Sequence, residues 1–121
     1  MTAAILQGVP ATTLDADLWI DLPERQYIRV LNICLKLGAR VVANTVVALM
    51  DDTLVNFLYR VDGLASFGTE SRRAITLDWL GFKVKVLPLE RIIRSKEHIA
   101  RPKDLAHLPL LKEVLAASRL L

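Results

Sequence analysis

The feature that most restricts the fold is a strict alternation near the start of the chain. From Thr13 to Asp21, Leu14, Ala16, Leu18 and Ile20 fall on one side, and Asp15, Asp17, Trp19 and Asp21 on the other. Successive side chains leave a pleated backbone in opposite directions, so a period of two with one apolar side predicts a half-buried β-strand. Pro23 then stands where the first turn of a helix tolerates it. From Glu24 to Leu37, Tyr27, Ile28, Leu31, Cys34, Leu35 and Leu37 follow helical spacing, and Gly38 supplies the stop.

Elsewhere the elements are short. Ala3 to Gln7 reads as the end of a helix halted by Gly8 and Pro10. Arg40 to Met50 is apolar and β-branched, Asp51-Asp52 reads as a turn, and Thr53 to Asp62 resumes as a strand, which suggests a hairpin. Ser66 to Thr69 reads as a loop and Glu70 to Ile75 as a short helical turn. Thr76 to Leu80 and Lys83 to Leu87 form a strand pair around Gly81-Phe82. Pro88 opens a helix with Leu89, Ile92, Ile93 and Ile99 on its apolar face. Arg101-Pro102 interrupts it, and Leu105 to Leu121 is a last helix. The expected fold class is therefore α+β: a small mixed or antiparallel sheet covered by helices, in a single domain over residues 1–121.

Composition narrows the function. With 53% hydrophobic residues and a net charge of only +3, the chain is not disordered. One cysteine excludes a disulfide framework and points to a reducing compartment. No run approaches the ~18 apolar residues of a membrane span. The N-terminus lacks the basic and apolar regions of a signal peptide, so a cytoplasmic protein with no membrane partner is expected. The basic residues Arg72, Arg73, Lys83, Lys85, Arg91, Arg94, Lys96, Arg101 and Lys103 all fall in the second half. That asymmetry suits a face that meets phosphates, and it equally suits an ordinary solvated surface.

The pair Asp15 and Asp17 carries the most chemistry. Residues i and i+2 of a strand point to one side with Cα atoms roughly 6–7 Å apart. Two carboxylates so close repel unless a cation lies between them. Hard oxygen ligands of this kind suit Mg²⁺, which takes one or two carboxylates together with substrate phosphates. A two-metal site needs a third carboxylate, for which Asp62 at the end of Leu58-Tyr59-Arg60-Val61-Asp62 is the candidate. Taken alone, Asp-x-Asp on a surface strand is also ordinary polar alternation.

The stretch Gly8-Val9-Pro10-Ala11-Thr12-Thr13-Leu14-Asp15-Ala16-Asp17-Leu18-Trp19 resembles the segment of polymerase-beta-type nucleotidyltransferases that leads into their Asp-x-Asp strand. It is most similar to the small bacterial, toxin-like members. Val86-Leu87-Pro88-Leu89-Glu90-Arg91-Ile92-Ile93-Arg94-Ser95-Lys96, followed by Arg101-Pro102-Lys103-Asp104-Leu105, resembles the closing motif of that group. The resemblance covers nearly the whole chain. It implies a nucleotidyltransferase-like fold, N-terminally abbreviated, because Met1-Thr2 stands where the family places paired small residues. Gln7 and Ala11 also replace the usual His and Arg. Implied with it are a catalytic and metal role for Asp15, Asp17 and Asp62, with Mg²⁺ as cofactor. Nucleotide phosphates are assigned to Lys96, Arg101 and Lys103. The reaction so implied moves a nucleoside monophosphate from a nucleoside triphosphate to a hydroxyl acceptor, either transfer RNA or a small molecule. Two other readings stay open: a catalytically inactive interaction module that forms a homodimer through the C-terminal helix, and an RNA-directed, toxin-antitoxin-like protein guided by the basic second half.

The remaining polar and aromatic residues read more simply. Cys34, on the apolar side of its helix, is expected as a small buried hydrophobe. His98 and His107 show no metal-ligand spacing and read as surface or cap residues, with His98 a minor candidate for substrate contact. Trp19 shares the side of Asp15 and Asp17 and reads either as a floor for a stacked base or as core. Trp79 is expected in the core or at an interface. Asp104 either pairs with Lys103 or Arg101 or caps the last helix.

Overall fold

The structure is a computed structural model that describes residues 1–11, 13 and 15–120. The parts of the sequence readings that fall on Thr12, Leu14 and Leu121 lie outside the described residues. Among the described residues the chain is a mixed α+β protein with five α-helices and two sheets. In chain order the elements are α1 (Thr2–Leu6), β1 (Asp15–Trp19), a 3₁₀ turn (Glu24–Gln26), α2 (Tyr27–Lys36), β2 (Arg40–Ala43), β3 (Val46–Ala48) and β4 (Leu54–Leu58). They continue with α3 (Phe67–Arg73), β5 (Ile75–Trp79), β6 (Phe82–Val86), α4 (Leu89–Ile99) and α5 (Pro102–Ser118). The chain divides into two compact units, one of Met1, Ala3–Thr12 and Val61–Leu121, the other of Thr2 and Thr13–Arg60.

The second of these units holds a four-stranded sheet in the order β1-β4-β3-β2. Strand β1 runs parallel to β4, while β3 pairs antiparallel with both β4 and β2. Arg40 to Met50 is thus two strands rather than one, folded at Asn44-Thr45, with a register shift between Val41 and Ala43. One sheet face packs Val47, Val55 and Phe57 against Cys34, Val30 and Leu31 of α2. Ala16 lies opposite Val55 and Leu18 opposite Phe57, so the apolar side of β1 is on this helix-covered face. Leu18 is nonetheless 49% exposed, because β1 is the edge of the sheet and has a neighbour on one side only. Asp15, Asp17 and Trp19 point to the face that α2 does not cover.

In the other unit, Ala4 and Val9 pack with Leu89, Ile92 and Ile93 of α4 and with Leu108 and Leu111 of α5. Two starts differ from the sequence expectation. Helix α3 begins at Phe67, one residue after Ser66, whose Oγ accepts the N–H of Thr69 and caps it. Helix α5 begins at Pro102, since proline at the first helical position lacks only an N–H that would find no partner there. The break between α4 and α5 falls at Ala100, whose φ of 53° is left-handed. Strands β5 and β6 form a hairpin closed by Leu80 and Gly81, both with positive φ, as a two-residue type I′ turn requires. Trp79 and its cross-strand partner Phe82 are exposed on this hairpin, so Trp79 is not a core residue.

Candidate functional site

The carboxylates of Asp15 and Asp17 are both exposed, two residues apart on one face of the edge strand β1. Asp17 lies opposite Asn56 of β4, whose Oδ1 accepts a hydrogen bond from the Thr45 hydroxyl at 3.1 Å. The Asp15 backbone N–H donates to Thr13 Oγ1 at 3.2 Å, which steadies the entry to the strand. Among the described residues no ion pair or side-chain hydrogen bond engages either carboxylate. Trp19, on the same face, is half-buried, and its indole N–H donates to the carbonyl of Tyr59 at 3.1 Å. Tyr59 follows the end of β4, so this bond ties the C-terminal end of β1 to its parallel neighbour.

Asp62 is placed differently from the expectation that it ends a strand. Strand β4 stops at Leu58, and Val61 to Leu64 is a turn closed by the Leu64 N–H on the Val61 carbonyl. Strand β4 stops where its partners do, with Trp19 opposite Leu58 as the last pair. The later turn uses Gly63, whose φ is 84° and where a Cβ would meet His98 Cβ at 2.6 Å. The turn is held by α4, where the Ser95 hydroxyl donates to the Asp62 carbonyl at 2.9 Å and Arg94 Nε donates to the Gly63 carbonyl at 3.2 Å. Asp62 itself is exposed and belongs to the helical unit rather than the sheet unit.

The basic residues of the closing motif come together at the junction of α4 and α5. Asp104 is 1% exposed and accepts from Arg101 Nε at 2.7 Å, from the Arg101 backbone N–H at 3.2 Å and from Lys96 Nζ at 3.3 Å. It therefore performs both roles that its position suggests, pairing with Arg101 and capping α5. These hydrogen bonds, that of Arg101 foremost, hold its carboxyl at about 2, well below the usual carboxylate range. The Lys96 side chain is only 14% exposed, and Lys103 stands in solvent one residue before Asp104. His107, one turn along α5 from Asp104, is partly buried rather than a surface residue. Its Nδ1 is buried without a hydrogen-bond partner among the described residues. Burial, then the charge of Lys96, pushes the imidazole pKa down, so His107 is neutral near pH 7. The three-residue spacing from Asp104 on a helix starting at Pro102 is the signal that places it there.

One buried charge has no counterpart in the sequence reading. Glu70 of α3 is fully buried, takes Arg91 of α4 in a two-pronged ion pair (2.9 and 2.6 Å) and accepts the Ala65 backbone N–H at 2.9 Å. Arg91 above all lowers its pKa. All its acceptor oxygens are engaged, so it fixes α3 to α4 and is not open to a ligand. Cys34 is buried beside Val47 and Phe57, as expected for a small hydrophobe.

Among the described residues no three His, Cys, Asp or Glu side chains gather at metal-binding spacing. The sheet unit thus offers a pair of hard oxygen donors, Asp15 and Asp17. No helix among the described residues is long and apolar enough to cross a membrane. Compared with protein-family models, curated proteins and solved structures, the chain matches none.

Proposed function

We propose that the chain has a nucleotidyltransferase-like fold and binds a nucleoside triphosphate with Mg²⁺, transferring the nucleoside monophosphate to a hydroxyl acceptor with release of pyrophosphate. The observation that carries this reading is the Asp15–Asp17 pair. Two exposed carboxylates sit side by side on an edge strand, and no described cation of their unit neutralises them. Side chains meant only to solubilise a strand gain nothing from such mutual repulsion, which a divalent ion would relieve.

The donor set fits Mg²⁺, which binds through one or two carboxylates and keeps its remaining positions for water and phosphate oxygens. When bound, the ion supplies charge stabilisation of the phosphoryl oxygens and a more acidic acceptor hydroxyl. Asp15 and Asp17 hold it, and their backbones are fixed by the parallel pairing with β4. Asp62, exposed on its turn, is assigned the acceptor proton. Lys96, Arg101 and Lys103 are assigned the negative charge of the phosphates, since placed cations are the main lever in phosphoryl transfer. Asp104 contributes by holding Lys96 and Arg101 in place before any ligand arrives. Transfer RNA and a small alcohol are both acceptors compatible with these residues.

Titration calorimetry of each nucleoside triphosphate with Mg²⁺ tests the reading. Binding is expected in the wild type and lost in Asp17→Asn, with the variant melting no lower than the wild type. Absence of binding by any triphosphate at millimolar concentration overturns it. A second reading, an interaction module without turnover, is favoured by one observation: large apolar side chains are exposed across α2.

A further inference from the structure

Helix α2 buries Cys34 and packs Val30 and Leu31 against the sheet, and its opposite side has an ordered pattern of its own. At 100° per residue, Arg29 and Lys36 lie seven apart and form one stripe on the far side from Cys34. Ile28 and Leu35, also seven apart, lie on one side of that stripe, beyond the exposed Asn32. Ile33 and the capping Leu37, four apart, flank it on the other. The four apolar flanking side chains are 52–68% exposed, and both cations are exposed. From Arg25 through Met50 the chain contains no Asp or Glu. Among the described residues Arg29 and Lys36 make no ion pair. A solvated face would carry its charges over most of its width, and here apolar side chains take both margins.

We infer that the outer face of α2 docks a partner protein whose surface presents a central row of carboxylates between two apolar margins. Charge complementarity selects this occupant. A second copy meeting through the same face would set Arg29 and Lys36 against themselves, which like-charge repulsion disfavours. A lipid bilayer requires the reverse order, with the apolar stripe central and the cations at its borders. Burial of the flanking isoleucine and leucine side chains would supply the affinity, and the cation row would set orientation and partner choice. This docking face lies wholly within the sheet unit and does not depend on nucleotide binding.

The test uses the full chain and two synthetic amphipathic helices with identical leucine margins, one with a central glutamate row and one with a central lysine row. Fluorescence anisotropy is expected to show the glutamate peptide binding roughly tenfold tighter or more, with the advantage shrinking as salt rises. Arg29→Glu/Lys36→Glu should invert the preference. Ile33→Ser, exposed and so compatible with folding, should weaken both peptides, and thermal melting verifies that each variant folds. Equal binding of the two peptides, no binding of the glutamate peptide, or failure of the charge swap to invert the preference overturns the inference. Tighter association with phosphatidylglycerol vesicles than with either peptide overturns it in favour of a membrane surface. Self-association abolished by Ile33→Ser overturns it in favour of a second copy.

Discussion

Asp104 lies 1% exposed at the head of α5, with Lys96, the Arg101 guanidinium and the Arg101 backbone N–H on its oxygens. Asp15 and Asp17 stand exposed on β1, with no described side chain of their unit paired to them. The same residue type is consumed by the fold in one region and left open in the other. A buried carboxylate must have its charge compensated at once, or the fold is lost. An exposed pair on an edge strand is under no such demand, so its placement is free to serve a ligand. The contrast separates a carboxylate committed to the fold from carboxylates left open to solvent.

The largest expected effect lies on the buried side. Asp104→Ala leaves Lys96 largely buried and unpaired and removes the cap of α5. A loss of about 3 kcal/mol is expected, read as a lower urea midpoint at unchanged slope. A loss below 1 kcal/mol would mean that solvent already compensates the cluster, and the contrast would dissolve.

Next in size is the acid response. The Asp104 carboxyl is lowered from 3.8 to about 2 in the folded protein. A depressed carboxylate pKa stabilises the fold fully above the unfolded value. That contribution, about 2 kcal/mol, drains away as pH falls from about 4 through about 2. Acid unfolding of Asp104→Asn should lack that portion of the slope and keep the portion due to Glu70, whose pKa is also lowered. Identical acid slopes for both proteins would contradict the assignment.

The smallest effect belongs to the open side. Asp17→Asn is expected to change stability by no more than about 0.5 kcal/mol, and to raise it at low salt as repulsion with Asp15 is relieved. A loss above 1.5 kcal/mol would show that Asp17 is structural, and the open pair would no longer stand apart from Asp104.

Much of this was legible in the residues. Alternation located β1 and put Asp15, Asp17 and Trp19 on one face, since a two-residue period depends only on local geometry. Helical spacing found α2 and α4 and the burial of Cys34. The boundaries that moved were set by single residues with two meanings: Pro102 starts a helix as readily as it stops one, and Ser66 caps a helix as readily as it lines a loop. Asp62 left its strand because β4 loses its pairing partners after Leu58, which depends on where the neighbouring strands end and not on Asp62's own surroundings in sequence. The Glu70–Arg91 pair spans 21 residues, and no local pattern announces which of many charges will meet across that distance. Of the two places expected for Trp79, the core is excluded, because a two-stranded hairpin buries little on either face.

The divalent-cation binding proposed for Asp15 and Asp17 is tested residue by residue by paramagnetic Mn²⁺. In an amide NMR spectrum of the full chain, substoichiometric Mn²⁺ should broaden the resonances of Asp15 to Trp19 first, excess Mg²⁺ should restore them, and Asp15→Asn/Asp17→Asn should abolish the effect. Broadening that begins elsewhere, or that persists unchanged in the double variant, would contradict the account.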